Sequence, residues 1–363
     1  MKASRKTVYI NGRFLTQAIT GVQRFALEIL KQAIRQTDIQ FQILVPNTVD
    51  DNHGLAVKKI GKLKGHAWEQ LELTAFLKKK GSPLLVNLTN TAPLFYENQV
   101  VTIHDLAFLH FPAWFSFVFR NYYKFLIPRI AKNSQHIITV SHAMRQEIAA
   151  VLKVSESKIS VVYNGVADHL LQSPKNVHQH EREAYILTVG SLDPRKNLLR
   201  LIQAFQALPI SNLQLYVVGG GNKLFSFSNT VPGIEEDKRI KFIGRVSDTE
   251  LADYYRHARL FAYPSLYEGF GIPNLEAMAF GVPVVTSDLA VFHEVCAKAA
   301  IFVDPMNPKS IAEGLRKGIT DADLRIRLVE EANYQHARFS WKESAQSFLK
   351  ILENKFQYVA ENI

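Results

Sequence analysis

Short apolar runs rich in Val, Ile and Leu alternate along the whole chain with stretches whose apolar positions recur every three or four residues. The first pattern predicts buried strands and the second amphipathic helices. Their alternation predicts an α/β protein with parallel sheets covered by helices on both faces. In the first half the strand-like runs are "TVYIN" (7–11), "FQILVP" (41–46), "PLLVNL" (83–88), "VVTIHD" (100–105), "HIITVS" (136–141) and "KISVVYNG" (158–165). Between the first two, Val22, Phe25, Ala26, Ile29, Leu30 and Ala33 keep helical spacing. Ser141 stands at the N-cap position of "HAMRQEIAAVLKV".

The pattern breaks at "ADHLLQSPKNVHQHEREA" (167–184), which is polar, carries a proline and reads as a linker. It then restarts with "YILTVG" (185–190), a helix from about Asn197, "LQLYVVG" (213–219), "IKFIG" (240–244), a helix from Ser247, "LFAYPS" (260–265), "PVVTS" (283–287) and "AIFVD" (300–304). "SDTE" (247–250) and "SWKE" (340–343) match the capping box, so the last segment, from Ser340 to about Phe356, is a capped helix. At 363 residues the chain exceeds what one core serves, and two doubly wound domains are expected. Ligands bind at the carboxyl ends of the strands in such sheets, so a site is expected in a cleft between the two domains. No short repeat suggests a solenoid.

Composition narrows the classes. With 47% hydrophobic and 21% charged residues the chain is neither disordered nor fibrous. The single cysteine, Cys296, excludes an internal disulfide and a multi-cysteine zinc site, and reads as a small core residue. The N-terminal "MKASRKTVYING" is basic but lacks the apolar stretch of a secretory signal. No run of about eighteen apolar residues is free of charge, so a soluble, cytosolic protein is expected. A net charge of +10 implies an anionic partner, and charge alone does not choose among nucleic acid, anionic lipid and a phosphorylated substrate.

The chemistry concentrates in "YPSLYEGFGIPNLEAMAFGVPVVTS" (263–287). Gly269, Gly271 and Pro273 interrupt regular structure, "NLEAMAF" reads as a short helix, and "GVP" stops it. Glu268 therefore lies on a loop at a strand's carboxyl end and Glu276 in the first turn of the following helix. The free amides at the helix start, with glycines that admit a ligand to the backbone, suit a phosphate between two carboxylates. The plainer alternative is a Glu276 that complements the helix dipole and a solvated Glu268.

The Glu268-x7-Glu276 spacing in this context closely resembles the signature of the retaining GT-B glycosyltransferases of family 4, which include bacterial polysaccharide and lipopolysaccharide enzymes. The resemblance spans nearly the whole chain and is strongest over 184–304. It implies a GT-B fold of two Rossmann-like doubly wound domains facing across a cleft: an acceptor-side domain over 1–168, a nucleotide-sugar domain over 169–340, and a final helix, 341–363, crossing back to the first. In "TVGSLDPRKNL" (188–198), the family's donor diphosphate is contacted by a basic pair matched here by Arg195 and Lys196, with Gly190 beside it. "YVVGGG" (216–221) and "IKFIGRVSDTELADYY" (240–255) resemble the segments whose backbone holds the base, which puts Gly244 and Val246 in the donor site. Glu268, Gly269, Phe270, Gly271, Ile272 and Glu276 complete it. In the first domain His104 is implied to hydrogen-bond the donor sugar, and Gly21 stands where many members carry a glycine pair.

The implied activity is a retaining, metal-independent hexosyltransferase. It would move a mannose-, glucose- or rhamnose-like residue from a nucleotide-diphosphate sugar to a saccharide, or a polyprenyl-diphosphate-linked oligosaccharide, in surface polysaccharide biosynthesis. His104, Glu268, Arg195 and Lys196 are the implied catalytic residues. No cofactor, metal or nucleic acid is expected. The "DAD" at 321–323 has the spacing of a metal motif but begins a predicted helix, where acids suit the dipole. "FPAWFSFVFRNYYKFLIPRIAKN" (111–133), with "KKIGKLKGHAW" (58–68), sets aromatic residues beside basic ones. It reads either as an anionic-membrane contact at the cytoplasmic face of the inner membrane or as core and cleft. The competing classes are a GT-B sugar-nucleotide epimerase and a non-catalytic basic scaffold.

Overall fold

The structure, a computed structural model, describes residues 7–167, 183–220 and 237–361, with side chains described as far as Lys355. Most of the linker read at 167–184, and Gly221 of the glycine run, lie outside the described residues. The chain divides into two compact units, Met1–Asn164 with Ser340–Ile363, and Gly165–Phe339.

In the first unit seven strands form one sheet: β1 (Thr7–Asn11), β2 (Gln40–Pro46), β3 (Val57–Ile60), β4 (Leu85–Asn87), β5 (Gln99–Thr102), β6 (His136–Thr139) and β7 (Ile159–Val161). Their order is β3-β2-β1-β4-β5-β6-β7, and every pairing is parallel. In the second unit β8 (Tyr185–Val189), β9 (Gln214–Val218), β10 (Ile240–Gly244), β11 (Leu260–Tyr263), β12 (Val284–Ser287) and β13 (Ala300–Val303) form a parallel sheet ordered β10-β9-β8-β11-β12-β13. Strands buried on both faces need apolar residues at successive positions, which is why β4, β5, β6, β11 and β12 are buried at every residue. Each sheet reverses its strand order once, between β1 and β4 and between β8 and β11, and loops that leave in opposite directions there open a crevice beyond the carboxyl ends.

Each predicted strand is present, most ending one to four residues earlier than the apolar run suggests. His104 and Asp105 consequently lie just beyond β5 rather than within a strand. The strand missed in the sequence is β3, "VKKI", whose Lys58 and Lys59 are exposed. An edge strand that points lysines to solvent avoids pairing with other chains, and the same lysines hide its periodicity. Cys296 is fully buried, as a core residue, and burial pushes its thiol above the ordinary range.

The last helix, Trp341–Glu361, is started by Ser340, whose hydroxyl accepts from the Glu343 amide at 3.2 Å. It packs in the first unit. Buried Trp341 meets Phe25 edge-on with ring centroids 6.1 Å apart, and Phe348 stacks near Phe41 at 6.4 Å. Trp341→Ala is expected to destabilise the first unit by about 3 kcal/mol, the usual scale for emptying a buried aromatic site. Chemical denaturation followed by a probe in that unit checks this, and an unchanged midpoint would show that the helix contributes little there.

Candidate active site

The site in the second unit forms where β8 and β11 diverge. After β8 the chain turns through a short 3-10 segment, Pro194–Lys196, whose start is capped by Asp193 accepting from the Arg195 amide at 2.9 Å. Asn197 follows in a left-handed conformation (φ 58°) and begins the helix Leu198–Gln206. Its buried amide donates to the carbonyls of Pro264 (2.9 Å) and Pro305 (2.7 Å), so the loops after β8, β11 and β13 are pinned together. The Leu266 amide also donates to the Arg195 carbonyl at 2.8 Å. These backbone ties bring Arg195 and Lys196 to Glu268, more than seventy positions later in the chain.

Lys196 Nζ lies 2.6 Å from Glu268 Oε1, and an Arg195 guanidinium nitrogen 3.4 Å from Oε2. The Tyr263 hydroxyl, at the end of β11, donates to Glu268 Oε1 at 2.9 Å and itself receives a hydrogen bond from Lys196 at 2.5 Å. Glu268 is only 8% exposed, which rules out the solvated alternative. Burial alone would raise its pKa, but the charges of Lys196 and then Arg195 outweigh it and hold the carboxyl at about 2. The group is thus an ionised acceptor. Burial, with Glu268 adding to it, pushes Tyr263 well above its ordinary value, so the phenol stays a donor.

Glu276 lies apart from this cluster, on the helix Ile272–Ala279. The helix starts two residues before the predicted "NLEAMAF", because Gly271 adopts φ +93° as its N-cap and proline is tolerated in a first turn. Glu276 therefore sits at the beginning of the second turn, not in the first as expected. It is 7% exposed, and its Oε2 accepts from the buried Tyr255 hydroxyl at 2.9 Å. A Cβ on Gly271 would stand 2.4 Å from a ring carbon of Phe292, so both its dihedral and its space require glycine. Gly269 and Phe270 are buried, Phe270 against Phe339, and Ile272 is half-buried. Asn274 donates to the Thr286 hydroxyl, which donates to the Tyr263 carbonyl, tying this helix back to β11 and β12.

Gly190 and Gly244 close the ends of β8 and β10 around Gly219. The Gly219 amide donates to the Gly244 carbonyl at 2.7 Å, and a Cβ on Gly219 would meet the Gly190 carbonyl at 2.3 Å. Val246, half-buried, precedes the Ser247 cap, where both hydrogen bonds of the predicted capping box form. Asp321 caps the helix Ala322–His336 through the Leu324 amide, the structural role expected of "DAD". Among the described residues no three His, Cys, Asp or Glu side chains gather in a way that would hold a metal.

In the first unit His104 is buried beyond β5. Its Nε2–H donates to the Leu88 carbonyl at 3.0 Å, its amide donates to Asn90 Oδ1 at 2.7 Å, and Phe25 packs edge-on against the ring. Burial lowers its pKa, with the Leu88 hydrogen bond opposing, so the imidazole is neutral and Nδ1 carries a lone pair. Gly21 is the first residue of the helix Gly21–Ile34, where Thr20 and Gln23 make a capping box. Tyr263, Tyr255 and Asn197 were not singled out in the sequence. The available signal for Tyr263 and Asn197 was a polar side chain at the end of an apolar strand and beside a basic pair.

Residues 172–335 match the family model described as glycosyl transferases group 1, and residues 19–169 match the one described as glycosyltransferase family 4. The chain is 33% identical to the O-antigen chain mannosyltransferase RfbU of Salmonella typhimurium over 272 residues, 74% of this chain and 73% of that protein. It is 27% identical to the O-antigen chain mannosyltransferase B of Escherichia coli across 89% of this chain and 93% of the other. Among solved structures, Anabaena HepE in complex with UDP-glucose superposes with a TM-score of 0.74 at 18% identity, over 96% of this chain and 99% of that one.

Because Glu268 is held at about 2 against an ordinary 4.5, its pairing stabilises the folded state fully above pH 4.5, and that contribution is lost as pH falls towards 2. Glu268→Gln is expected to lower stability by roughly 3 kcal/mol at neutral pH, with the gap to wild type closing between those limits. Denaturant titrations at stepped pH read this directly, and a gap independent of pH would show that Glu268 is not held ionised by its partners.

Proposed function

The chain belongs to the group 1 glycosyl transferases, family 4, and from that premise we propose that it transfers a hexosyl residue, mannose foremost, from a nucleotide-diphosphate sugar to a saccharide acceptor with retention and without a metal. The observation that carries this reading is the cluster of half-buried Arg195 and Lys196 around buried Glu268 at the reversal of strand order. When the bond between the sugar and the diphosphate breaks, negative charge grows on the leaving phosphate. Fixed cations that need no reorganisation stabilise that change, and two of them supply the neutralisation that a divalent ion gives in other sites.

In the described state Glu268 is the counter-ion of both cations. A bound diphosphate brings its own charge to Arg195 and Lys196 and frees the carboxylate, still ionised, to accept hydrogen bonds from sugar hydroxyls beside the Tyr263 phenol. Glu276, oriented by Tyr255, is suited to ribose hydroxyls, and the amides at the start of Ile272–Ala279 to phosphate oxygens. On the acceptor side, retention follows from attack on the face the phosphate leaves: the acceptor oxygen bonds to the anomeric carbon as the departing phosphate oxygen takes its proton. His104 contributes a neutral Nδ1 acceptor in the first unit.

The names of the relatives, both O-antigen mannosyltransferases, support mannose and a surface-polysaccharide acceptor, with a polyprenyl-diphosphate-linked oligosaccharide as its chemical form. The helix Phe117–Asn133 supports a place at the cytoplasmic face of the inner membrane. It buries Leu126, Ile127 and Ile130 in the unit but leaves Phe117 (71%), Val118 (77%) and Phe125 (49%) exposed. Arg120 and Arg129 lie over the Phe117 and Phe125 rings, so apolar anchors and positive charge share one surface. Among the described residues no helix is long and apolar enough to cross a membrane.

Thermal-shift and calorimetric titration with GDP-mannose, UDP-glucose, dTDP-rhamnose and a CMP-sugar, in EDTA, is expected to show stabilisation by one nucleotide series. Glu276→Ala should weaken it by about tenfold, the scale of one or two lost hydrogen bonds. Proton NMR of the first product should show the donor's anomeric configuration. An inverted product, or no stabilisation by any nucleotide sugar, would sink the proposal. Separately, co-sedimentation with phosphatidylglycerol vesicles should be strong for wild type and largely lost in a Phe117→Ser, Phe125→Ser, Arg120→Gln variant. Equal binding by both would remove this helix from the membrane contact.

A further inference from the structure

The reversal of strand order in the first unit holds a second buried ionic cluster that the donor chemistry does not use. Asn11 ends β1 and Asn87 ends β4, and between the loops that follow them lie Arg13, Glu69 and Thr91, all 5% exposed or less. Glu69 Oε1 accepts from Arg13 Nε at 3.1 Å, Asn11 Nδ2 at 2.8 Å and Thr91 at 3.1 Å. Its other oxygen, Oε2, lies 3.2 Å from His66 Nδ1. Burial pushes the Glu69 carboxyl up, but Arg13 and His66 outweigh it and keep it below its ordinary value. Glu69 sits in a π-helical stretch, Trp68–Leu73, a local widening frequent at functional positions.

The geometry leaves one outlet. A carboxylate only accepts, so His66 carries a hydrogen on Nδ1, and its Nε2 has no hydrogen-bond partner among the described residues. The side chain is 36% exposed, and its ring lies 4.7 Å from that of Tyr122 and 6.2 Å from that of Tyr123. The Tyr122 hydroxyl is buried and meets no partner in hydrogen-bond geometry, beside a Gln70 whose amide bonds Ala92 and Leu94. The same loop that brings Thr91 to Glu69 also holds His104, through Leu88 and Asn90, so this outlet and His104 share one sheet edge. A ring nitrogen and a phenol without a partner, framed by aromatic faces, match the alternating hydroxyl and C–H faces of a pyranose.

We propose that His66 Nε2 and the Tyr122 hydroxyl bind the hydroxyls of the saccharide acceptor at this edge, and that Glu69 is a positioning residue that fixes the His66 tautomer and ring. The inference rests on the transferase reading above and assigns its acceptor site. No proton transfer to His66 is required, because the departing phosphate takes the acceptor proton.

The test is steady-state kinetics with GDP-mannose as donor and the octyl glycosides of mannose, galactose, rhamnose and N-acetylglucosamine as acceptor probes. His66→Phe and Tyr122→Phe, which keep the rings, should each raise the acceptor KM about tenfold and leave the GDP-mannose KM unchanged. Glu69→Gln, in protein shown by circular dichroism to be folded, should move the same constant and not the donor's. Wild-type acceptor KM in both ring-preserving variants, or a fall in kcat with both KM values unchanged, would overturn the inference. A wild type that binds GDP-mannose but glycosylates none of the probes would also overturn it. A wild type that neither binds nor transfers would count against the underlying reading instead.

Discussion

An ionised carboxylate buried beside two cations is the constraint on which the second unit depends. Glu268 is buried, so its charge is tolerable only while Lys196, Arg195 and Tyr263 surround it. The two cations come from a loop far away in sequence, and the local irregularities nearby hold that loop. Asp193 caps the 3-10 turn, left-handed Asn197 anchors to Pro264 and Pro305, and Gly271 folds the Glu268 loop back against Phe292. Removing one charge would leave the others buried and uncompensated, so the cluster specifies geometry more than it adds stability.

The two sheets solve the same placement problem. In each, the order of strands reverses once, and in each an ion-paired cluster gathers at that reversal: Arg195, Lys196 and Glu268 between β8 and β11, Arg13 and Glu69 between β1 and β4. Divergent loops expose backbone and side chains at the same point, while the strands beneath are apolar at nearly every position and cannot move to accommodate a misplaced charge. A rigid floor and a polar rim are what transfer chemistry needs, because a charge that develops on a leaving phosphate is stabilised only by groups already in place.

The hydrogen-bond states of the ionisable groups follow from burial and neighbours. Glu268 and Glu69 remain acceptors because cations beside each outweigh desolvation, Tyr263 remains a donor because it is buried and faces a carboxylate, and His104 is neutral because it is buried. Burial and neighbours thus fix which of these groups donate and which accept.

The sequence by itself determined the class of fold and many of the local turns around the candidate site. Runs of apolar residues with a period suited to two-faced burial mark twelve of the thirteen strands among the described residues, and the Glu268-x7-Glu276 stretch with its glycines marks the loop and helix that follow β11. These features are legible because they are local: a strand buried on both faces needs apolar residues in succession, and a turn with positive φ needs glycine. The exposed edge strand β3 was hidden by its own lysines, and the start of the helix at Ile272 by a proline that reads as a breaker. Only the tertiary structure decided that Glu268 is the counter-ion of both Lys196 and Arg195, that Tyr255 orients Glu276, and that Arg13, Glu69 and His66 form one cluster. Those pairings join residues 21 to 73 positions apart, with His66 and Glu69 the one local pair, and arise from the crossover order of parallel strands. No periodicity along the chain encodes that order, because it is set by which helices cover which face.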